Sequence, residues 1–216
     1  EDASFYFTLA GLGVNGNTNG KMVMVGDAAL AGAFNSLDLD LNVTNNNSGS
    51  SAIGIEFNYV VSSMLRYTAN VAGTSQGTAV KMNQCHGLLV HQPQHGNALR
   101  GLHMTGITYG NLFLGSLFEV LGKGIVTDSV NTFTNSFRGG LISQNGSFIS
   151  STNGSNNVID AMTWDGLGNF FDGSNYTGWT LQNQRNSLLT VPSVGTSPWS
   201  WTNNCGQAVM AYLTGG

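Results

Sequence analysis

The sequence predicts an all-β protein built as a stack of β-coils, and three observations carry that expectation. A short pattern returns four times, at Gly54-Ile55-Glu56-Phe57, Ala79-Val80-Lys81-Met82, Gly101-Leu102-His103-Met104 and Gly124-Ile125-Val126-Thr127, in steps of 25, 22 and 23 residues. Apolar residues alternate within each return and no helical pattern lies between them, as in a solenoid of short strands. Gly, Asn, Ser and Thr make up 95 of the 216 residues, a turn-rich composition, while 41% apolar residues supply more burial than disordered chains have.

A chain of 216 residues and 22.7 kDa is long enough for one domain with a real core. Its net charge of −4 and seven scattered basic residues leave no patch for a phosphate backbone, so nucleic acid is not an expected partner. No run of 18 apolar residues and no basic-then-apolar N-terminus is present, so neither membrane insertion nor a signal peptide is expected. The abrupt ends, Glu1-Asp2 and Gly215-Gly216, suggest a processed chain or a segment of a longer one. Of the two cysteines, Cys85 falls at an inward repeat position and reads as a small buried apolar residue in preference to a disulfide partner of Cys205.

In chain order, Ser4 to Ala10 and Lys21 to Val25 are candidate strands. Between them, Gly11-Leu12-Gly13-Val14-Asn15-Gly16 matches G-x-G-x-x-G, but Asn17-Thr18-Asn19-Gly20 follows where a nucleotide site needs a helix, so a glycine-rich turn is expected. Asp27 to Phe34 is Ala-rich with Asp27 as a possible N-cap, and a short helix closing the stack is expected there. Leu37 to Val43 alternates strictly, as a strand with one apolar face does.

Aligning the repeats by their first apolar residue predicts four inward columns: Ile55, Val80, Leu102 and Ile125; Phe57, Met82, Met104 and Thr127; Val60, Cys85, Ile107 and Val130; and Leu65, Val90, Leu112 and Phe137. Asn58, Asn83, Thr105 and Asp128 predict a polar turn ladder beside them. Coils of this length with stacked aliphatic columns and a polar ladder resemble the right-handed parallel β-helix of pectin-lyase-like proteins, a group that includes polysaccharide lyases, glycoside hydrolases and phage tailspikes. The resemblance covers residues 37–190, the expected parallel β-helix; the residues before it read as N-terminal strands and a short cap at 1–36, and those after it as a small C-terminal β-hairpin module at 191–216. Phe148-Ile149, Val158-Ile159 and Trp179-Thr180-Leu181 continue the coils, and Trp199 to Leu213 reads as a β-hairpin similar to short modules of phage appendage proteins.

A β-helix enzyme acting on sugar chains needs two acids in one column, since rungs ~4.8 Å apart put such pairs at roughly 5 or 10 Å. Glu56 stacks on Lys81 and His103, and Asp128 on Thr105 and Asn83, so neither column pairs two acids. Asp160, Asp165 and Asp172 are the remaining catalytic candidates, interleaved with Trp164, Tyr176 and Trp179, which could hold a glycan. Asp38 and Asp40 read as a solvated face. An outward column of Arg66, His91, Phe113 and Arg138 suits an acidic glycan, with an ordinary surface or subunit contact as the plainer reading. His86, His91, His95 and His103 have no zinc-site spacing, so no metal and no cofactor are expected.

The favoured expectation is a non-enzymatic viral or phage appendage segment, on the virion surface or otherwise extracellular, that binds cell-surface polysaccharide and forms a homotrimer through outward apolar residues such as Tyr59, Leu114 and Phe118. The alternatives are a polysaccharide lyase or glycoside hydrolase of the same fold, and a structural module of an extracellular filament or adhesin.

Overall fold

The computed structural model describes residues 7–186 except 28, 72–76, 121, 130, 152–153, 172–177 and 183–184, with backbone alone for 144–146, 151, 164, 166–171 and 185–186. The described chain is all-β, a parallel β-solenoid of about five turns. The C-terminal segment 191–216 lies outside the described residues, as does Cys205.

Each turn contributes to three ladders. Face A is built from β1 (Phe7–Gly16), β4 (Leu37–Asn45), β7 (Met64–Val71), β9 (Leu89–Gly96), β12 (Leu112–Glu119) and the first half of β15 (Ser136–Ser151). Face B is built from β2 (Lys21–Gly26), β5 (Ile53–Asn58), β8 (Thr78–Asn83), β10 (Arg100–Thr105), β13 (Lys123–Thr127) and the second half of β15. Face C is short: β3 (Phe34–Asn35) pairs β6 (Val60–Val61), and β11 (Thr108–Tyr109) pairs β14 (Thr132–Phe133), with His86 bridging Val61 to Tyr109. β16 (Asn157–Asp160) and β17 (Thr163–Phe171) extend face A and the rest of β15, and β18 (Trp179–Gln182) and β19 (Arg185–Asn186) pair onto them. All these pairings are parallel, so the Gly11–Gly16 run is strand and the ladders reach back to Phe7.

The first two predicted columns are present as drawn, Ile55 to Ile125 and Phe57 to Thr127, all buried. The other two slip by one residue. Thr108, fully buried, lies in register with Cys85, while Ile107 is 48% exposed; Val130 lies outside the described residues. Phe113, and not Leu112, pairs with Val90 and Phe137 in the core. The cause is turn length: five residues separate Ile55 from Val60 and Val80 from Cys85, but six separate Leu102 from Thr108. A single added residue moves every later side chain to the opposite face. The same slip buries Phe118, expected outside, where it stacks on His95 at 4.3 Å.

The expected helix at Asp27 to Phe34 does not form; among the described residues there is none. Asp27 does act as a cap, its carboxylate accepting the Ala29 and Ala31 N–H groups at 2.8 Å, and those bonds hold its carboxyl below the usual range. The segment is a turn because it must reach β3 within a few residues, too few to repay helix nucleation.

The corner between faces C and A is left-handed in every turn. Ser36, Ser62, Gly87, Gly110, Thr134 and Asn156 have φ between 46° and 65°. Just past that corner runs a buried amide ladder. Asn111 Nδ2 donates to Asn135 Oδ1 at 2.9 Å and Asn135 Nδ2 to Asn157 Oδ1 at 3.0 Å, while the same amides donate to Cys85 O and Thr108 O of the preceding rungs. Their carbonyls accept the backbone N–H groups of Leu88, Asn111 and Asn135, which the corner leaves without strand partners. The predicted ladder at Asn58 and Asn83 is weaker, a single 3.4 Å contact.

At the N-terminal end the first turn leaves an apolar cavity of about 670 Å³ lined by Leu9, Val23, Val25, Phe34, Leu37 and Leu39, apolar groups that supply no chemistry.

A candidate ligand-binding face

Parallel register brings the cations of face B together. Lys21, Ile53, Thr78, Arg100, Lys123 and Ser147 form one column by successive backbone pairing. The column of Met24, Glu56, Lys81, His103, Val126 and Ser150 runs beside it. Lys21, Lys81, Arg100 and Lys123 are four of the chain's seven Lys and Arg residues, and they share the face with two acids, Glu56 and Asp128. The face therefore carries a formal +2 on a chain of net −4, leaving −6 for everything else.

Glu56 is the anchor of this arrangement. Only 2% exposed, it lies between Lys21 (Nζ to Oε2, 2.8 Å) and Lys81 (Nζ to Oε1, 3.4 Å). The Lys21 contact is close but poorly aligned for a hydrogen bond, so the interaction there is mainly Coulombic. A buried carboxylate is tolerable only when paired. Here it draws both ammonium groups down onto the sheet and holds them at fixed positions, with the Lys21 and Lys81 side chains 39% and 28% exposed.

Two rungs further, His103 Nε2 lies 2.8 Å from Asp128 Oδ2. Partial burial works against the ionised Asp128, but hydrogen bonds from His103 and the Thr105 hydroxyl outweigh it and lower its pKa. Lys123 Nζ donates to Ser150 Oγ at 3.1 Å. Glu56 and Asp128 are three rungs apart, ~14 Å at parallel-sheet spacing and beyond the separation of glycosidase acid pairs.

The predicted site residues are distributed more widely. Arg66, His91 and Arg138 do share an outward column on face A, but Leu114 occupies the place expected for Phe113. Asp160 continues that column and Asp165 lies in another, paired with Ser143. Asp172 and Tyr176 lie outside the described residues, and the Trp164 backbone pairs with that of Ile142. Trp179 is buried, its ring 6.1 Å from that of Phe137. The four histidines point four ways. His86 stacks on Tyr109 on face C, His91 is outward on face A, His95 is in the core and His103 is on face B. Among the described residues no three His, Cys, Asp or Glu side chains form a metal-sized group.

Face C carries a half-exposed row of rings, His86, Tyr109 and Phe133, stacked at 4.7 and 4.9 Å with planes 6–7° apart. Each ring covers its neighbour's face, so the row offers solvent mainly edges, and sugars stack on faces. It is a structural ladder.

Two features were not apparent from motif reading. Arg100 and Lys123 each immediately precede a repeat, so extending the repeat alignment one residue backward would have lined them up. Glu119 pairs with Ser143 and Ser143 with Asp165, placing two exposed acids in one column two rungs apart, ~10 Å at parallel-sheet spacing. No protein-family model matches the chain, and neither the curated proteins nor the solved structures contain a match.

Proposed function

We propose that this chain is a non-enzymatic β-solenoid module of a viral or other extracellular appendage, and that it binds acidic cell-surface polysaccharide along face B. The observation that carries the reading is the alignment of four of seven cations on one face, two of them fixed by the buried Glu56. Cations repeating along a flat sheet suit a polymer whose charges also repeat, and ammonium groups already held in place lose less entropy on binding. The proposal shifts glycan recognition from Arg66, His91 and Arg138 to Lys21, Lys81, Arg100 and Lys123.

Titration calorimetry with oligogalacturonate and with neutral dextran tests it. Binding to the acidic glycan alone is expected, weakening as salt rises. The triple variant Lys21→Ala/Arg100→Ala/Lys123→Ala should lose about tenfold in affinity, at up to ~1 kcal/mol per exposed ion contact. Unchanged affinity in that variant, or equal binding of dextran, would sink the proposal.

A second reading, a glycoside hydrolase, is favoured by the Glu119–Asp165 column, whose ~10 Å spacing is near the inverting range. It requires release of reducing ends from a polysaccharide, abolished by Glu119→Gln and by Asp165→Asn. Cleavage that survives either substitution excludes this pair.

A further inference from the structure

The apolar cavity at the N-terminal end lies between two sheet edges. Among the described residues β1 pairs only with β4 and β2 only with β5, so the outer edge of each carries backbone N–H and C=O groups without strand partners. β1 is ten residues long and holds no charged residue and no proline, the groups that commonly keep such an edge from pairing. Four of the seven exposed large apolar side chains among the described residues, Phe7, Leu12, Met24 and Phe34, line the cavity between these edges. We infer that this end joins the same end of a second copy about a two-fold axis perpendicular to the solenoid axis, with β1 pairing antiparallel to the partner's β1.

The occupant must satisfy both edges and fill the cavity. An aliphatic ligand fills the cavity and pairs neither edge, and a single extended peptide pairs one. A second copy brings two edges, ten and six residues long, with their apolar sides turned inward, whereas the far end of the described solenoid offers β18 and β19, of four and two residues.

The order of residues along β1 selects the direction. Phe7, Leu9, Leu12 and Val14 pair with Leu37, Leu39, Leu41 and Val43, all buried, so these four turn inward while Thr8 and Gly13 turn outward. A bulge at Ala10–Gly11, where Gly11 has φ 70°, shifts the phase by one residue between the two halves. The inward pattern is therefore the same read from either end, about a centre between Ala10 and Gly11. A two-fold axis through that centre sets Phe7 against the partner's Val14, Leu9 against the partner's Leu12 and Thr8 against the partner's Gly13. The two bulges face each other and backbone pairing runs on either side of them. The two cavities meet across the junction as one enclosed core, and an isologous contact of this kind closes at two copies.

Sedimentation velocity and site-specific cross-linking of the full chain test it. The wild type should dimerise as concentration rises and form nothing larger. Phe7→Lys and Leu12→Lys, which put a charge into the junction at side chains already 52% and 37% exposed, should each weaken the dimer by about tenfold or more. Ile107→Lys, 48% exposed and away from this end, should leave it unchanged. Cross-linking uses a Cys205→Ser background, in which Cys85 is buried and its thiol is pushed up to about 12 by that burial. With a short bis-maleimide, an equal mixture of Thr8→Cys and Gly13→Cys should yield the mixed dimer, since a Cβ at Gly13 has open space around it. Thr8→Cys alone should not link, because its two copies lie five residues apart along the junction, ~17 Å. A monomer at all concentrations, a trimer or longer chain of copies, self-linking of Thr8→Cys, or lysine variants that dimerise like the wild type overturns the inference. Circular dichroism identifies any lysine variant that fails to fold, and the wild-type and cross-linking results then decide.

Discussion

Acid should destabilise this protein through one buried histidine, well above the pH at which its carboxylates protonate. His95 is 1% exposed in the core, its ring stacked on Phe118 and edge-on to Tyr67. Nδ1 lies 3.2 Å from Leu117 O and Nε2 lies 3.0 Å from the Tyr67 hydroxyl. A carbonyl only accepts, so Nδ1 carries the proton and Nε2 accepts from Tyr67. This neutral tautomer satisfies both nitrogens. Burial lowers the pKa from 6.5 to about 3, with the Leu117 carbonyl opposing it only slightly. Because the folded value is depressed, the unfolded chain binds the proton first. The stabilisation is complete above pH 6.5 and is lost as pH falls from there toward 3. Between pH 7 and 5 the linkage relation gives a loss of about 2 kcal/mol, while most carboxylates stay ionised. Urea denaturation of the wild type and of His95→Gln at both pH values measures it. The variant starts less stable at pH 7, having lost the ring stack, and the gap should narrow by about 2 kcal/mol at pH 5. Parallel pH profiles, or an NMR titration of the His95 ring above pH 5, would refute a buried neutral imidazole.

Two further perturbations test the fold. Asn135→Ala removes the middle of the amide ladder, four hydrogen bonds with the backbone N–H of Asn111 orphaned among them, and should cost about 3–4 kcal/mol in urea denaturation. The exposed Asn131→Ala should stay within ~0.5 kcal/mol, and similar costs for the two would remove the ladder from the stability account. Gly140→Ala, at φ 118° with a Cβ that would collide with the Ser116 backbone, should lower Tm by roughly 6–12 °C. Its neighbour Gly139→Ala, at φ 63° with open space around it, should cost only about 1 kcal/mol, so equal shifts would contradict the placement of this bend.

The solenoid was legible because its columns repeat the same chemistry. Ile55, Val80, Leu102 and Ile125 announce a shared interior whichever turn is read first. The left-handed corner was not legible: Ser, Gly, Thr and Asn occupy it in different turns, since its conformation is imposed by the rungs on either side and not by residue type. The Asn111–Asn135–Asn157 ladder was hidden for a related reason. Its spacings of 24 and 22 residues are those of the repeat, but 25 asparagines in the chain offer many other alignments. The helix expected after Asp27 shows local preference yielding to tertiary geometry, with the cap present and nothing capped.

Phase governs the reading of function more strongly than it governs the reading of fold. An interior column hides a slip of one residue, because Leu112 and Phe113 are both apolar and either has the chemistry to fill the core. An outward column does not. The same slip puts Leu114 in place of Phe113 in the outward row of Arg66, His91 and Arg138, so a leucine and not an aromatic ring lies at its centre. It also explains why Glu119 and Asp165, 46 residues apart in sequence, were not recognised as column mates. Face B escapes the slip because its strands keep one register from Lys21 to Ser147, with the turn insertions falling after them. Its cation column follows from the same alignment that revealed the core, whereas the assignments on face A depend on the added turn residues. Substitutions at Lys21, Arg100 and Lys123 therefore test binding with the register already determined by the neighbouring interior column.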